Sequence, residues 1–164
     1  MYLLDSTTCI DILDEAPEVA RRLRELGDAP VATCAIVRGE LVYMAMKSRD
    51  REKNLSRVDG LLADLDVHPA DDAVAEHYGR LKLALLEHFG PRDEAKRRKT
   101  KVETLGFKDN DLWIAATAKR HGLIVVSSDY AFRRMAEAGG PPAEVWQSPD
   151  GTPSSRGERL SETD

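Results

Sequence analysis

Four carboxylates stand where solubility alone does not explain them. Asp5 closes the apolar run "YLL", Asp111 sits at the start of "NDLWIAATAKRH", Asp129 follows "LIVVSS", and Glu40 lies inside "IVRGELVYMAMKS". Each aspartate taken singly is explained by helix capping, because Asp suits an N-cap and the helix dipole. Glu40 is not. It falls four residues after Ile36, three after Val37 and four before Met44, on the apolar stripe of its helix. A carboxylate there needs hydrogen-bond donors or a cation, stays protonated, or sits at an edge from which it reaches water. Four acids brought together would repel one another. A hard divalent cation resolves that repulsion, since Mg²⁺ and Mn²⁺ prefer carboxylate and water oxygens. Such an ion lowers the pKa of a bound water and stabilises the attacking and leaving oxygens of a phosphodiester. No serine, cysteine or histidine arrangement offers a competing nucleophile.

The elements that must position these acids alternate between strand and helix. Strands are expected at "YLL", "PVATCA", "LDVHP", "LIVVSS" and, at an edge, "AEVWQ". Between them the pattern predicts helices through "CIDILDE", from Pro17 to Gly27, along "IVRGELVYMAMKS", and over Asn54–Leu65. Further helices are expected from Asp71 or Asp72 to Gly90, over Asn110–His121, and through "DYAFRRMAEA". The continuous apolar run "LIVV" is typical of a strand buried on both faces. Alternation of this kind predicts one α/β domain with a mostly parallel sheet, in which ligands bind beyond the carboxyl ends of the strands. Residues 1–147 are assigned to that domain. Residues 148–164, "SPDGTPSSRGERLSETD", carry one leucine and no periodicity, and are expected to form a disordered tail.

Composition narrows the function classes. The chain has 164 residues, 41% of them hydrophobic and only 5% aromatic, so its core is expected to be aliphatic. No apolar run approaches the roughly 20 residues of a membrane span, and the acidic N-terminus does not resemble a signal peptide. A cytoplasmic protein is expected. Cys9 and Cys34 have no CxxC spacing and read as buried, reduced thiols. The four histidines lack metal-site spacing, which disfavours zinc. A net charge of -5 disfavours a generic nucleic-acid coat. One segment departs from that balance: "RDEAKRRKTK", Arg92 to Lys101, has six basic and two acidic residues. It reads either as a solvated helix or loop, or as a phosphate-contacting surface carried by Lys96, Arg97, Arg98 and Lys99.

At "LLDSTTCIDIL", "VATCAIVRGELVYMA", "LGFKDNDLWIAATAKRHGLIVVSSDYAF" and the closing "VW" the sequence resembles PIN-domain ribonucleases, specifically the VapC-type toxins of bacterial toxin–antitoxin pairs. The resemblance implies a PIN-like three-layer α/β/α domain and hydrolysis of RNA by carboxylate-held Mg²⁺ or Mn²⁺. Position by position, Asp5, Glu40, Asp111 and Asp129 match the family's four metal-binding acids. The sequence departs at "DST", where Ser6 and Thr7 replace the usual threonine and asparagine, and at "RGEL", where an alanine usually precedes the glutamate. Neither change removes a ligand. Asn110 matches the family's asparagine and is assigned to orient Asp111 or a water. Asp109 reads as the helix cap, with support of a metal-binding neighbour as its alternative, and Thr7 and Ser127 are hydroxyls near the site that suit capping or turn bonding. The resemblance also implies a VapB-like antitoxin partner and a homodimer.

Rivals rank lower. A phosphatase of the haloacid-dehalogenase type needs a second acid two residues after Asp5, where Thr7 stands. A receiver domain needs an acidic pair and a late lysine that are missing here. Two alternatives stay open: a catalytically silent PIN-like module that binds RNA or a partner, and a structure-specific DNA nuclease.

Overall fold

Strands of two to four residues survive only when neighbours complete their hydrogen bonds and helices cover their faces. The five expected segments all form, as β1 (Tyr2–Leu4), β2 (Val31–Cys34), β3 (Asp66–His68), β4 (Ile124–Val126) and β5 (Ala143–Glu144). The computed structural model describes residues 1–146; the tail expected over 148–164 lies outside the described residues. The strands pair in the order β3-β2-β1-β4-β5, and every pairing is parallel. Central β1 pairs on both edges, through Leu3 with Ala32 of β2 and with Val125 of β4. Leu3, Leu4, Ala32, Val125 and Val126 are all at most 1% exposed, which accounts for apolar runs that do not alternate with polar residues.

The helices are α1 (Ser6–Leu13), α2 (Pro17–Leu26), α3 (Ala35–Lys47), α4 (Arg51–Ala63), α5 (Asp72–Phe89), α6 (Glu94–Lys99), α7 (Asp109–His121) and α8 (Tyr130–Glu137), with a 3₁₀ turn at Val102–Leu105. With strand order β3-β2-β1-β4-β5, the right-handed crossover rule predicts α1 to α4 on one face of the sheet and α5 to α8 on the other. The packing follows that division. Helix α1 contacts α2, α3 and α4, whereas α7 lies against α5 and α8 and reaches across to α3. This gives the expected α/β/α layering. Helix α4 begins at Arg51, three residues before the expected start, because the exposed "REK" turn is polar and gives no periodic signal.

The sheet edge at β5 is tied down by α2. Arg22 pairs with Glu144 and lies over the Trp146 ring, and Trp146 packs edge-on against Tyr2 at 5.2 Å. Helix α7 packs against the interior through Leu112, Ile114, Ala115, Ala116, Thr117 and Ala118, and its small residues allow close approach by its neighbours. Both cysteines are buried and free, as expected.

Chain order makes one place in this sheet special. From β1 the chain moves outward through β2 and β3, then crosses back past β1 to β4 and on to β5. The carboxyl ends of β1 and β4 are therefore adjacent while their connections leave in opposite directions. That is the switch point at which open α/β sheets bind ligands.

The approach to α7 depends on Gly106, whose φ of 87° is left-handed. A Cβ added there would also lie 3.3 Å from Nη1 of Arg134, which donates to the Leu105 carbonyl, while Cζ of the same side chain sits 4.4 Å from the Phe107 ring centroid. Gly106→Ala should cost about 1–2 kcal/mol in urea denaturation. An unchanged midpoint would contradict a turn held in this conformation.

Candidate active site

A carboxylate at a strand end needs a fixed orientation before it can do chemistry, and here capping supplies it. Asp5 follows β1 and caps α1: its Oδ1 accepts the Thr8 amide at 2.7 Å. The Thr8 hydroxyl donates to the Val126 carbonyl at 2.9 Å, fixing the first turn of α1 to β4. Asp129 follows β4 and caps α8, with Oδ1 accepting the Ala131 amide at 2.9 Å. The buried Ser127 hydroxyl joins the two acids, bonding the Asp5 carboxyl and accepting the Asp129 amide at 3.0 Å. Capping and site-building are the same act for Asp5 and Asp129, since each cap bond occupies one carboxylate oxygen.

Glu40 and Asp111 arrive from helices. Glu40 is half-buried on α3, and its Oε1 accepts Nδ2 of Asn110 at 2.7 Å across to the start of α7. Its Oε2 is buried without a hydrogen-bond partner. Asp111 lies in the first turn of α7 without capping it, and its Oδ2 is likewise buried and unpartnered. A buried acceptor left unpaired is costly, so two of them facing one region call for a donor or a cation.

The electrostatics show that the acids act on one another. Burial pushes the Asp111 carboxyl up to about 6; Lys108 opposes this, and Asp129, Glu40 and Asp5 each add to it. Asp5 is also pushed up, first by burial, with the bonds from Ser127 and Thr8 pulling it back. Among the described residues, no three acid, histidine or cysteine side chains stand close enough to grip an ion without adjusting. The donor set is all oxygen, and with its two unpaired buried oxygens it suits Mg²⁺ or Mn²⁺.

The remaining expected residues divide. Asn110 is at the site but holds Glu40 rather than Asp111. Ser127 serves both Asp5 and Asp129. Thr7 is half-buried on α1, and the residue that seats Asp5 is its neighbour Thr8. Asp109 is not the helix cap; that position is Lys108. Asp109 instead accepts the Tyr78 hydroxyl and pairs with Lys82 at 3.2 Å, both on α5, and the Tyr78 bond leads the effects that hold its carboxyl low. Tyr78 in turn stacks on Trp113 with ring centroids 4.2 Å apart. That face of α7 is a clamp to α5.

The basic segment forms the six-residue α6, and its cations are not equivalent. Arg97 is half-buried and donates to the carbonyls of Pro91 and Arg92, which closes the turn after α5. Arg98 pairs with Glu94 on the surface, while Lys96 and Lys99 are exposed. The expectation that all four could face phosphate is corrected for Arg97, whose guanidinium has a structural task.

Sequence reasoning missed two groups. Lys108 places Nζ 3.5 Å from Oδ2 of Asp129. The only signal for it was a lysine at a helix start rich in acids. Tyr78 and Lys82 fall along the expected α5 helix, where nothing local marks a bond to Asp109.

The sequence model of the PIN domain matches residues 2–138. Among curated proteins, the chain is 31% identical to "tRNA(fMet)-specific endonuclease VapC" of Salmonella typhimurium, over 78% of this chain and 86% of that protein. It is 27% identical to the protein of the same name from Shigella flexneri, over 88% and 97%. Among solved structures, it superimposes on VapBC2 of Rickettsia felis bound to a promoter DNA fragment with a TM-score of 0.70 and 25% identity, covering 89% of this chain and 98% of that one. DNA-bound VapBC of Salmonella typhimurium gives a TM-score of 0.68 at 28% identity, with 89% and 98% covered.

The raised Asp111 carboxyl has a thermodynamic consequence. An unfolded aspartate titrates near pH 3.9, whereas folded Asp111 titrates at about 6. Between those values the folded state holds the extra proton, so its contribution to stability falls as pH rises through that window and levels off above it. With chelator present, Asp111→Asn should remove about 1 kcal/mol of the stability lost between about pH 4 and pH 7, allowing for solvent screening. An identical pH slope in the variant would contradict the assignment.

Proposed function

The chain belongs to the PIN domain family, and from that premise we propose that it is a metal-dependent endoribonuclease, the toxin of a VapBC-type toxin–antitoxin pair. The observation that carries this reading is the gathering of Asp5, Glu40, Asp111 and Asp129 at the switch point, with unpartnered oxygens on Glu40 and Asp111. The relatives named as tRNA(fMet)-specific endonucleases support RNA as the substrate. The VapBC structures, one described as a member of a toxin–antitoxin family, support a VapB-like antitoxin as the partner. A homodimer acting in the cytoplasm fits the same reading, and no helix among the described residues is long and apolar enough to cross a membrane.

Mg²⁺ or Mn²⁺ held by the four acids would supply an activated water and charge stabilisation at the scissile phosphate. The chain's own residues do the positioning. Thr8 and Ser127 fix Asp5, and Asn110 fixes Glu40 so that its second oxygen remains available. Ser127 and the Ala131 amide fix Asp129. Asp111 is carried by a helix anchored in the interior through Leu112 and Ile114, so its approach does not depend on a mobile loop.

Asp5→Asn tests the reading directly. The amide oxygen can still cap α1, and removing one repelling charge should leave the metal-free melting temperature equal or higher. Cleavage of single-stranded RNA in Mn²⁺ should fall by at least about 100-fold, the scale of a lost electrostatic stabiliser. Chelation should abolish wild-type cleavage, and flap DNA should be a poor substrate. Wild-type cleavage rates in the variant would sink the metal-site reading. No metal-dependent cleavage by the wild type would favour a silent binding module.

The α6 surface has its own test. Substituting Lys96, Arg98 and Lys99 with Gln, and keeping Arg97, should weaken RNA binding and flatten its salt dependence by about 0.7 per lost phosphate contact. An unchanged slope would remove α6 from the RNA path.

A further inference from the structure

We propose that Lys108 is a tethered cation that exchanges partners, holding Asp129 when the acids carry no metal and turning to a phosphate of bound RNA when they do. The inference rests on the metal-nuclease reading above. It starts from a residue in the wrong place. Lys108 is the N-cap of α7, a position that favours Ser, Thr, Asp or Asn, and its charge sits at the positive end of the helix dipole. It makes no side-chain cap bond. Local preference therefore opposes a lysine here, and such violations concentrate at functional sites.

The acids offset that cost. Lys108 Nζ stands 3.5 Å from Oδ2 of Asp129, the oxygen left over when Oδ1 caps α8. The contact is long for a charge-assisted hydrogen bond, and the lysine side chain is 76% exposed. Exposed pairs of this kind contribute little, so the contact is easily opened.

Root and tip of the side chain differ in freedom. Phe107, the preceding residue, is 1% exposed and lies under Arg134, which also bonds the Leu105 carbonyl. Lys108 is thus attached to a fixed backbone at the mouth of the acid cluster, with a flexible stem and three donors at its end. A cation bound among Asp5, Glu40, Asp111 and Asp129 would draw Asp129 Oδ2 toward itself and repel the ammonium. The nearest anion left for Lys108 is then the phosphate that the acids' metal attracts.

The two ligands should respond in opposite directions, which a merely structural lysine would not produce. Full-length wild type, Lys108→Met and Lys108→Arg are titrated with Mn²⁺ by calorimetry at low salt. They are then titrated with a non-cleavable 2′-O-methyl single-stranded RNA in Mn²⁺ over a salt series. In Lys108→Met, Mn²⁺ should bind about 2- to 5-fold tighter, because a competing charge is gone. RNA should bind more weakly, and its log affinity against log salt should flatten by about 0.7, one phosphate contact. Lys108→Arg should stay close to wild type in both. Mn²⁺ affinity unchanged or weaker in Lys108→Met, or an unchanged salt slope, overturns the exchange while leaving the nuclease reading intact. Failure of the wild type to bind Mn²⁺ overturns both.

Discussion

Everything at this site follows from the cost of gathering carboxylates where water is scarce. An isolated buried carboxylate either recruits a cation, finds donors or takes up a proton. Here all three responses are visible in one cluster. Asp111 is pushed up to about 6, Asp5 leans on Ser127 and the Thr8 amide, and the more exposed Asp129 stands beside the ammonium of Lys108. None of these fully satisfies the set, since oxygens of Glu40 and Asp111 remain buried without partners. A protein does not retain such an arrangement for stability. On the proposed reading a positive ligand would satisfy it, and the strand order places it where α/β sheets bind ligands.

The fold holds the acids against their repulsion by giving each a second task or a neighbour with one. Asp5 and Asp129 are helix caps, so removing either loosens a helix start as well as the site. Ser127 couples them through a single buried hydroxyl. Glu40 is held by Asn110, and α7 is clamped to α5 through Tyr78, Lys82, Asp109 and Trp113. The chemistry is thus mounted on elements whose positions are set by core packing.

Much of this was legible in the residues. Strands β1 and β4 appear where an apolar run meets a turn or cap signal, because a short parallel strand buried on both faces can be little else, whereas β3 and β5 are partly exposed edge strands. Glu40 stood out because a charge on the stripe shared with Val37 and Leu41 has few explanations, and the structure turns it toward α7. Local pattern failed where a bond spans distant segments. Asp109 has every mark of a cap, yet Tyr78 and Lys82, about thirty positions away, claim its carboxylate. Thr7 and Thr8 cannot be ranked from sequence, because which hydroxyl faces β4 depends on the rotation of α1. The stacking of His68 on His121, at 3.9 Å, is another pairing that no spacing rule reveals. Arg97 illustrates the same limit for charge, since a basic run does not say which of its members turns inward to close a loop.

The central claim is that a divalent cation is the missing counter-charge for these four acids. It is tested most directly by the melting temperature of the metal-free full chain across a Mn²⁺ series at constant ionic strength. Binding to the folded state alone raises stability as RT ln(1 + [L]/Kd), so the account predicts a melting temperature that climbs with Mn²⁺. The climb should be smaller at about pH 5, where Asp111 holds its proton, than at about pH 7. A melting temperature indifferent to Mn²⁺ at both pH values would contradict the account.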